Sequence, residues 1–213
     1  MRSDSMFVEA AKENVPEIIA LRHQIWGTTY RGIYPDDMID NFDWAWHQEK
    51  ELLRINNPAY SVYLLQKDDQ NIGYLTMSRT DGVILQSLYI LSEHQRQGIG
   101  RAAFDFIRAY CREYGAKSFT CHCVPENLNA RAFYEKMGGE VIGADLANEE
   151  AWQNSVTYQV AAYRLEWPTA IKRCFFCACG AAGGMVCWVR SFRVRRIYEN
   201  PGGSFDGLYP NHR

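Results

Sequence analysis

No stretch of the 213-residue chain supplies the roughly 18 to 20 consecutive apolar residues that a membrane span requires. The nearest candidate, Cys174 to Val189 (CFFCACGAAGGMVCWV), is uncharged but too short and too rich in glycine, so no membrane partner is expected. The opening MRSDSMFVEA has no apolar run behind its arginine, which leaves no secretory signal and points to the cytoplasm. Metal-ligand spacing is missing as well. Cys174, Cys177, Cys179 and Cys187 have no second C-x-x-C and no nearby histidine, so no metal is expected. The cysteine total is seven, an odd number, and Cys111, Cys121 and Cys123 fall within expected helix or strand. This excludes a disulfide framework and reads as buried thiols in a reducing compartment. Neither sign of charge dominates, at a net −2, and no nucleic-acid partner is expected.

What the chain does have is enough apolar material for a core. Hydrophobic residues make up 47% and charged residues 23%, the ordinary globular range and far from the composition of disordered chains. The charge is unevenly placed. The 45 residues after Pro168 hold seven basic and two acidic side chains, a net of +5, against −7 for residues 1–168. That reversal divides the sequence into a domain over residues 1–168 and a Cys-, Gly- and Arg-rich extension over 169–213, expected to be poorly ordered.

Within the first part, strand-like and helix-like segments alternate, the pattern of a mixed α/β domain. FVEA leads into ENVPEIIALRHQIW, where Asn14, three residues before Glu17, predicts a capped helix start and Pro16 sits in the tolerant first turn. A further helical stretch is expected over roughly residues 36–55. YSVYLLQK and NIGYLTMSR flank DDQN, which is hairpin chemistry, and GVILQSLYIL, the most apolar run, belongs at the centre of the sheet. The next helix sets Ile99, Ala102, Ala103, Phe106, Ile107 and Tyr110 against Arg101, Asp105, Arg108 and Arg112, and Gly115 closes it. SFTCHCV, EVIGA and SVTYQVAAYRLEW read as strands, with a short helix after the first whose apolar side is Ala130, Phe133, Tyr134 and Met137.

The junction EHQRQGIGRAAF, residues 93–104, puts Gly98 and Gly100 at the mouth of a strong helix. Bare backbone there leaves the first helical N–H groups open, and phosphate oxygens bind such groups together with the positive end of the helix dipole. Arg96 and Arg101 add charge-assisted donors. The third glycine of the dinucleotide fingerprint and the Gly-Lys-Ser/Thr of a Walker loop are both missing. A pyrophosphate is the ligand this leaves. A tight turn before an amphipathic helix accounts for the glycines equally well.

Gln95-x-x-Gly98-x-Gly100, followed by Asn127-x-x-Ala130-x-x-Phe133-Tyr134-x-x-x-Gly138, resembles the coenzyme A signature of the GNAT superfamily of N-acetyltransferases, over roughly residues 6–167. The resemblance implies a mixed, mostly antiparallel central sheet flanked by helices and splayed between its fourth and fifth strands, with acetyl-CoA as co-substrate. It implies that the main chain of Leu88, Tyr89 and Ile90 pairs with the pantetheine arm, one amide polarising the thioester carbonyl. Gln95, Arg96, Gln97, Gly98, Ile99, Gly100 and Arg101 would then hold the pyrophosphate. Asn127 takes the position that in the family holds the cofactor from the other side, and is also a favoured helix cap. Tyr134 matches the tyrosine that protonates the departing thiolate, a task suited to a phenol that stays protonated at neutral pH. A tyrosine in an apolar helical stripe is otherwise a core residue. His122 stands five residues before Asn127, where some relatives carry a glutamate base. An imidazole, with an ordinary pKa of about 6.5, can do that work, and a strand histidine with a satisfied hydrogen bond is the alternative.

WGTTYRGIYPDDMIDNFDWAWHQ, residues 26–48, falls on the first two expected helices, which in this superfamily form much of the acceptor wall. Trp26, Tyr30, Tyr34, Trp44 and Trp46, interleaved with Asp36, Asp37, Asp40 and Asp43, suit a cationic amine through ring faces and charge. They suit better still helices anchored by aromatics with acids near a helix start, both of which are routine. The implied reaction moves the acetyl group of acetyl-CoA to a primary amine of a small cationic molecule, such as a polyamine, an amino sugar or an amino-acid derivative. Attack would be direct, with no covalent enzyme intermediate. A protein N-terminus or lysine as acceptor, and a non-catalytic CoA-binding regulator, are the alternatives, and a homodimer is an allowed assembly.

Overall fold

The computed structural model describes residues 6–148 and 150–163. The 169–213 extension, with its four cysteines and its arginines, lies outside the described residues. In chain order the elements are β1 (Phe7–Glu9), α1 (Val15–Thr29), α2 (Asp36–Asp40), α3 (Trp44–Ile55), β2 (Tyr60–Lys67), β3 (Gln70–Ser78) and β4 (Val83–Ile90). They continue with α4 (Ile99–Glu113), β5 (Ser118–Cys123), α5 (Leu128–Lys136), β6 (Gly139–Asp145) and β7 (Ser155–Ala161). The fold is mixed α/β. One sheet runs in the order β1-β2-β3-β4-β5-β7-β6, so β4 is central and β7 inserts between β5 and β6.

Local chemistry accounts for most boundaries. The β2–β3 hairpin turns through Asp68 (φ 51°) and Asp69 (φ 59°), both left-handed, the conformation that two-residue hairpin turns demand. Gly115 takes φ 69° where α4 ends, and the Ala116 N–H bonds back to the Cys111 carbonyl. Two expectations are corrected. Asn14 stands at the N-cap position of α1, but its side chain makes no bond to that helix; it accepts instead from the Ala11 N–H across the preceding 3-10 turn. The stretch 36–55 is two helices, because the buried Phe42 turns the chain inward and the Asp43 carboxylate accepts from the Trp46 N–H to start α3 afresh.

Side chains alternate across β3, and the two sheet faces differ accordingly. Leu75 and Met77 join Leu85, Phe104, Ile107, Phe119 and Cys121 in the main core under α4. Tyr74 faces the other way, where α1 and α3 bury a polar cluster. There Arg22 donates to the Tyr74 hydroxyl (2.7 Å) and to Glu51 (2.5 Å), and Glu51 also pairs with Arg54 (3.1 Å). Arg108, expected on the solvent side of α4, is only 5% exposed. Its guanidinium donates to the Met137 and Ala161 carbonyls, tying α4 to α5 and β7, and pairs with the Asp105 carboxylate at 3.0 Å, so its charge is met by backbone and one acid rather than by water.

β4 and β5 are the parallel pair, and they pair only through Val83–Leu85 against Phe119–Cys121. Beyond Leu85, β4 keeps β3 and β5 keeps β7, so the sheet opens between the fourth and fifth strands. A bulge accompanies the opening. Thr76 pairs with Ser87 and Met77 with Leu85, which leaves Gln86 as an extra residue in β4. Bulges bend the strand that carries them, and this one falls one residue past the last β4–β5 pair.

Candidate active site

The open end of β4 carries Leu88, Tyr89 and Ile90, paired on one side with Leu75, Tyr74 and Gly73. Successive main-chain groups of a strand point to opposite sides, so those that β3 does not use face the gap. Gly73 is what lets β3 approach so closely: a Cβ there would lie 2.1 Å from the Tyr89 carbonyl oxygen. The sequence reading passed over Gly73. The signal was an isolated glycine inside the strand run NIGYL, which marks a bulge or a close backbone approach.

From Ile90 the chain enters a loop braced by its own side chains. Gln95 Nε2 donates to the Ile90 carbonyl (2.9 Å) and Gln97 Nε2 to the Glu93 carbonyl (2.8 Å). Arg96 (φ 61°) and Gly98 (φ 87°) are both left-handed, and α4 starts immediately afterwards. Ala102 is the first residue whose N–H bonds back into the turn, to Gly98, so the N–H groups of Ile99, Gly100 and Arg101 have no helical acceptor. The two glycines have different jobs. A Cβ on Gly98 would meet nothing within 4 Å, and its need is the positive φ. A Cβ on Gly100 would lie 3.1 Å from the Phe133 ring, so Gly100 makes room for α5. The two motifs that the sequence offered separately therefore interlock, one seated on the other.

Asn127 begins α5 and is buried; its side-chain oxygen accepts from the Ala130 N–H at 3.1 Å. Two turns on, the half-buried Tyr134 packs against Phe104 and Tyr158, at ring separations of 6.0 and 5.4 Å. Among the described residues nothing hydrogen-bonds its hydroxyl. Burial, reinforced by Cys121, Cys123 and Tyr89 close by, pushes its pKa well above the ordinary phenol value, so it holds its proton. Burial also pushes the Cys121 thiol up to about 12 and the Cys123 thiol up to about 11. A thiolate in these surroundings is strongly basic.

His122 lies between those cysteines on β5, and alternation turns it to the opposite sheet face. Its Nδ1 is 2.9 Å from the Thr157 hydroxyl on β7, and burial lowers its pKa, leaving the imidazole neutral at neutral pH. Tyr134 and His122 are thus not neighbours. They stand on opposite faces of the sheet, at the end where it is open.

On the His122 face, the expected acceptor wall is largely closed on itself. Trp26 is 6% exposed and sets its ring edge-on to Tyr30, Tyr34, Phe42 and His47, a packing hub rather than an open surface. Tyr30 and Tyr34 stack at 4.4 Å, and the Tyr30 hydroxyl lies 3.2 Å from that of Tyr89 on β4. Trp152, in the turn between β6 and β7, reaches Tyr34 at 5.8 Å. Sequence reasoning missed Trp152, and no local signal could have linked it to a tyrosine more than a hundred residues away. The acids are also engaged: Arg31 pairs with Asp36 (3.1 Å) and Asp40, and Asp43 caps α3. Trp44 is exposed, and Lys50 lies over the half-buried Trp46. Among the described residues no group of three or more His, Cys, Asp or Glu side chains comes together to hold a metal. No described helix is long and apolar enough to cross a membrane.

Comparison with known proteins agrees with this geometry. Residues 21–139 match the Acetyltransferase (GNAT) family. An uncharacterized N-acetyltransferase from the pepI 3′ region of Lactobacillus delbrueckii subsp. lactis is 24% identical over 141 residues, covering 62% of this chain and 82% of that protein. The PaiA N-acetyltransferase of Thermoplasma acidophilum, solved with coenzyme A, superposes with a TM-score of 0.62 at 18% identity, over 73% of this chain and 97% of that one. A spermidine N-acetyltransferase SpeG chimera from Vibrio cholerae and hSSAT gives a TM-score of 0.55 at 15% identity, over 74% and 96%. The chain belongs to the GNAT family of acetyl-CoA-dependent N-acetyltransferases.

Proposed function

We propose that the acceptor is the primary amine of a small cationic molecule, and that the acetyl group passes to it by direct attack with no covalent enzyme intermediate. The observation that carries this reading is the position of Tyr134 and His122 on opposite sides of the opened sheet. The acceptor nitrogen bonds to the thioester carbonyl carbon and loses a proton to the neutral His122 imidazole. The carbon–sulfur bond then breaks, and the leaving thiolate takes the Tyr134 proton. The burial that raises the Tyr134 phenol raises a thiolate beside it as well, as it does Cys121 and Cys123, so the phenol keeps its proton until the charged sulfur leaves next to it. The loop from Gln95 to Arg101 holds the pyrophosphate on the open N–H groups of α4, and the main chain of Leu88 to Ile90 receives the pantetheine arm and polarises the carbonyl. The amide nitrogen of Asn127 remains available to the cofactor, since the cap uses its oxygen.

For the acceptor, Arg31 engages Asp36 and Asp40, and Tyr30 and Tyr34 are 9% and 7% exposed and stacked on each other, so a cation would meet the exposed Asp37 carboxylate and only the rims of these rings with Trp152. Likeness of fold to a spermidine acetyltransferase supports the same class. In an assay of thiol release across a panel of amines, polyamines and amino sugars are expected to outpace neutral and acidic amines. Preference for neutral amines would remove the cationic reading.

His122→Ala should lower kcat about a hundredfold while leaving the Kd for acetyl-CoA within about twofold. Because its pKa lies below the ordinary 6.5, the base is deprotonated at neutral pH and is lost only as pH falls under that value. The acid limb of the pH–rate profile therefore belongs below pH 6.5 and should be missing from the variant. An acid limb unchanged in His122→Ala would assign the base elsewhere.

A further inference from the structure

The β2–β3 hairpin turn stands beside the phosphate loop, because Gly73 pairs with Ile90 and the Leu91 N–H donates to the Ile72 carbonyl. Lys67, the last residue of β2, is half-buried there, and its Nζ donates to Gln97 Oε1 at 2.6 Å. The Gln97 amide is held at both ends, since its nitrogen donates to the Glu93 carbonyl. Among the described residues no carboxylate lies within ion-pair distance of Lys67, Arg96 or Arg101. Lys67 ends β2, Arg96 lies in the loop and Arg101 in the first turn of α4, beside the open N–H groups of that helix start, a placement that suits an anion. Asp68 and Asp69 occupy the turn itself, and Glu93 bonds to the neighbouring Ser92 hydroxyl.

We infer that Lys67 is a third cation for the phosphates of acetyl-CoA, supplied by the hairpin rather than by the loop. The inference rests on the assignment of residues 95–101 to the pyrophosphate. In the free protein the ammonium is parked on the Gln97 carbonyl, and a phosphate oxygen replaces that neutral acceptor when the thioester binds. A flexible four-carbon stem ending in a point charge permits the exchange, and a charged acceptor makes the stronger bond.

Titration calorimetry on the full chain tests this with acetyl-CoA and with its 3′-dephospho analogue. Lys67→Gln should weaken acetyl-CoA binding roughly three- to tenfold at low salt, with Lys67→Arg restoring it to within about twofold. In steady state the loss should fall on the KM for acetyl-CoA rather than on kcat, and it should shrink as added salt screens the charge. A loss that persists with the dephospho analogue assigns Lys67 to the pyrophosphate, and one that disappears assigns it to the 3′-phosphate; either supports the contact. Unchanged binding by Lys67→Gln overturns it, and so does a Lys67→Arg protein as weak as Lys67→Gln. If the wild-type protein itself shows no affinity for acetyl-CoA, the phosphate loop assignment fails first.

Discussion

Tyr134→Phe is expected to lower kcat by about 10²- to 10³-fold while leaving acetyl-CoA binding within about twofold. The substitution keeps the ring that packs on Phe104 and Tyr158 and removes one hydroxyl that no described residue bonds. Stability should therefore change by less than about 0.5 kcal/mol. The effect on turnover comes from the leaving group. On the proposed mechanism the departing sulfur would enter surroundings that hold the Cys121 and Cys123 thiols above their ordinary values, so an unprotonated thiolate there would be expelled slowly and would recapture the acyl carbon. Thiol release under steady state, beside calorimetry for binding, separates the two roles a buried tyrosine can have. Full turnover with phenylalanine would reduce Tyr134 to a packing residue and require the proton to come from water.

Glu51→Ala should destabilise the fold by about 3 to 5 kcal/mol. Glu51 has no solvent exposure, and its Oε2 receives both Arg22 and Arg54. Its removal leaves the buried Arg22 guanidinium with only the Tyr74 hydroxyl and, at 3.3 Å, His47 Nδ1, neither of which carries a compensating charge. His47 at least adds no second positive charge: burial, and then Arg22 itself, hold its pKa at about 3, so it remains neutral. The damage should reach the site through Tyr74, whose ring lies 5.3 Å from Tyr89, itself joined to Tyr30. Urea unfolding measures the loss, and Glu51→Gln, which keeps the volume and one acceptor, should fall between wild type and alanine. A loss under about 1 kcal/mol for Glu51→Ala would mean that water reaches Arg22 once the carboxylate is gone.

The local geometry of the candidate site was legible in the chain where its parts are consecutive residues. The glycine-opened start of α4 and the Asn127 cap each depend on a few consecutive residues whose backbone geometry follows from residue type. The reading of residues 26–48 fared less well. It identified the aromatic and acidic residues correctly but not their partners: Trp26 is turned inward, and Arg31, within the same stretch, holds two of the acids. Composition cannot distinguish a carboxylate offered to a substrate from one already paired, because the difference is a few ångströms of side-chain placement. Arg108 makes the same point in reverse. Helical periodicity put it on the wet side of α4, and the carbonyls that end α5 and β7 drew it inside.

By itself, the sequence determined the alternation of strands and helices, the hairpin turn at Asp68 and Asp69, the central place of β4 and the spacing of the coenzyme A motifs. All but one follow from interactions between residues close along the chain; the place of β4 was read from how apolar that run is. Tertiary structure alone decided that β7 separates β5 from β6, that Gly100 seats Phe133, and that Tyr134 and His122 occupy opposite faces of a sheet opened beside a bulge at Gln86. It also decided that Lys67 and Trp152 arrive from distant segments. Such pairings depend on which surfaces meet when the whole core closes, and no short window of sequence contains that competition.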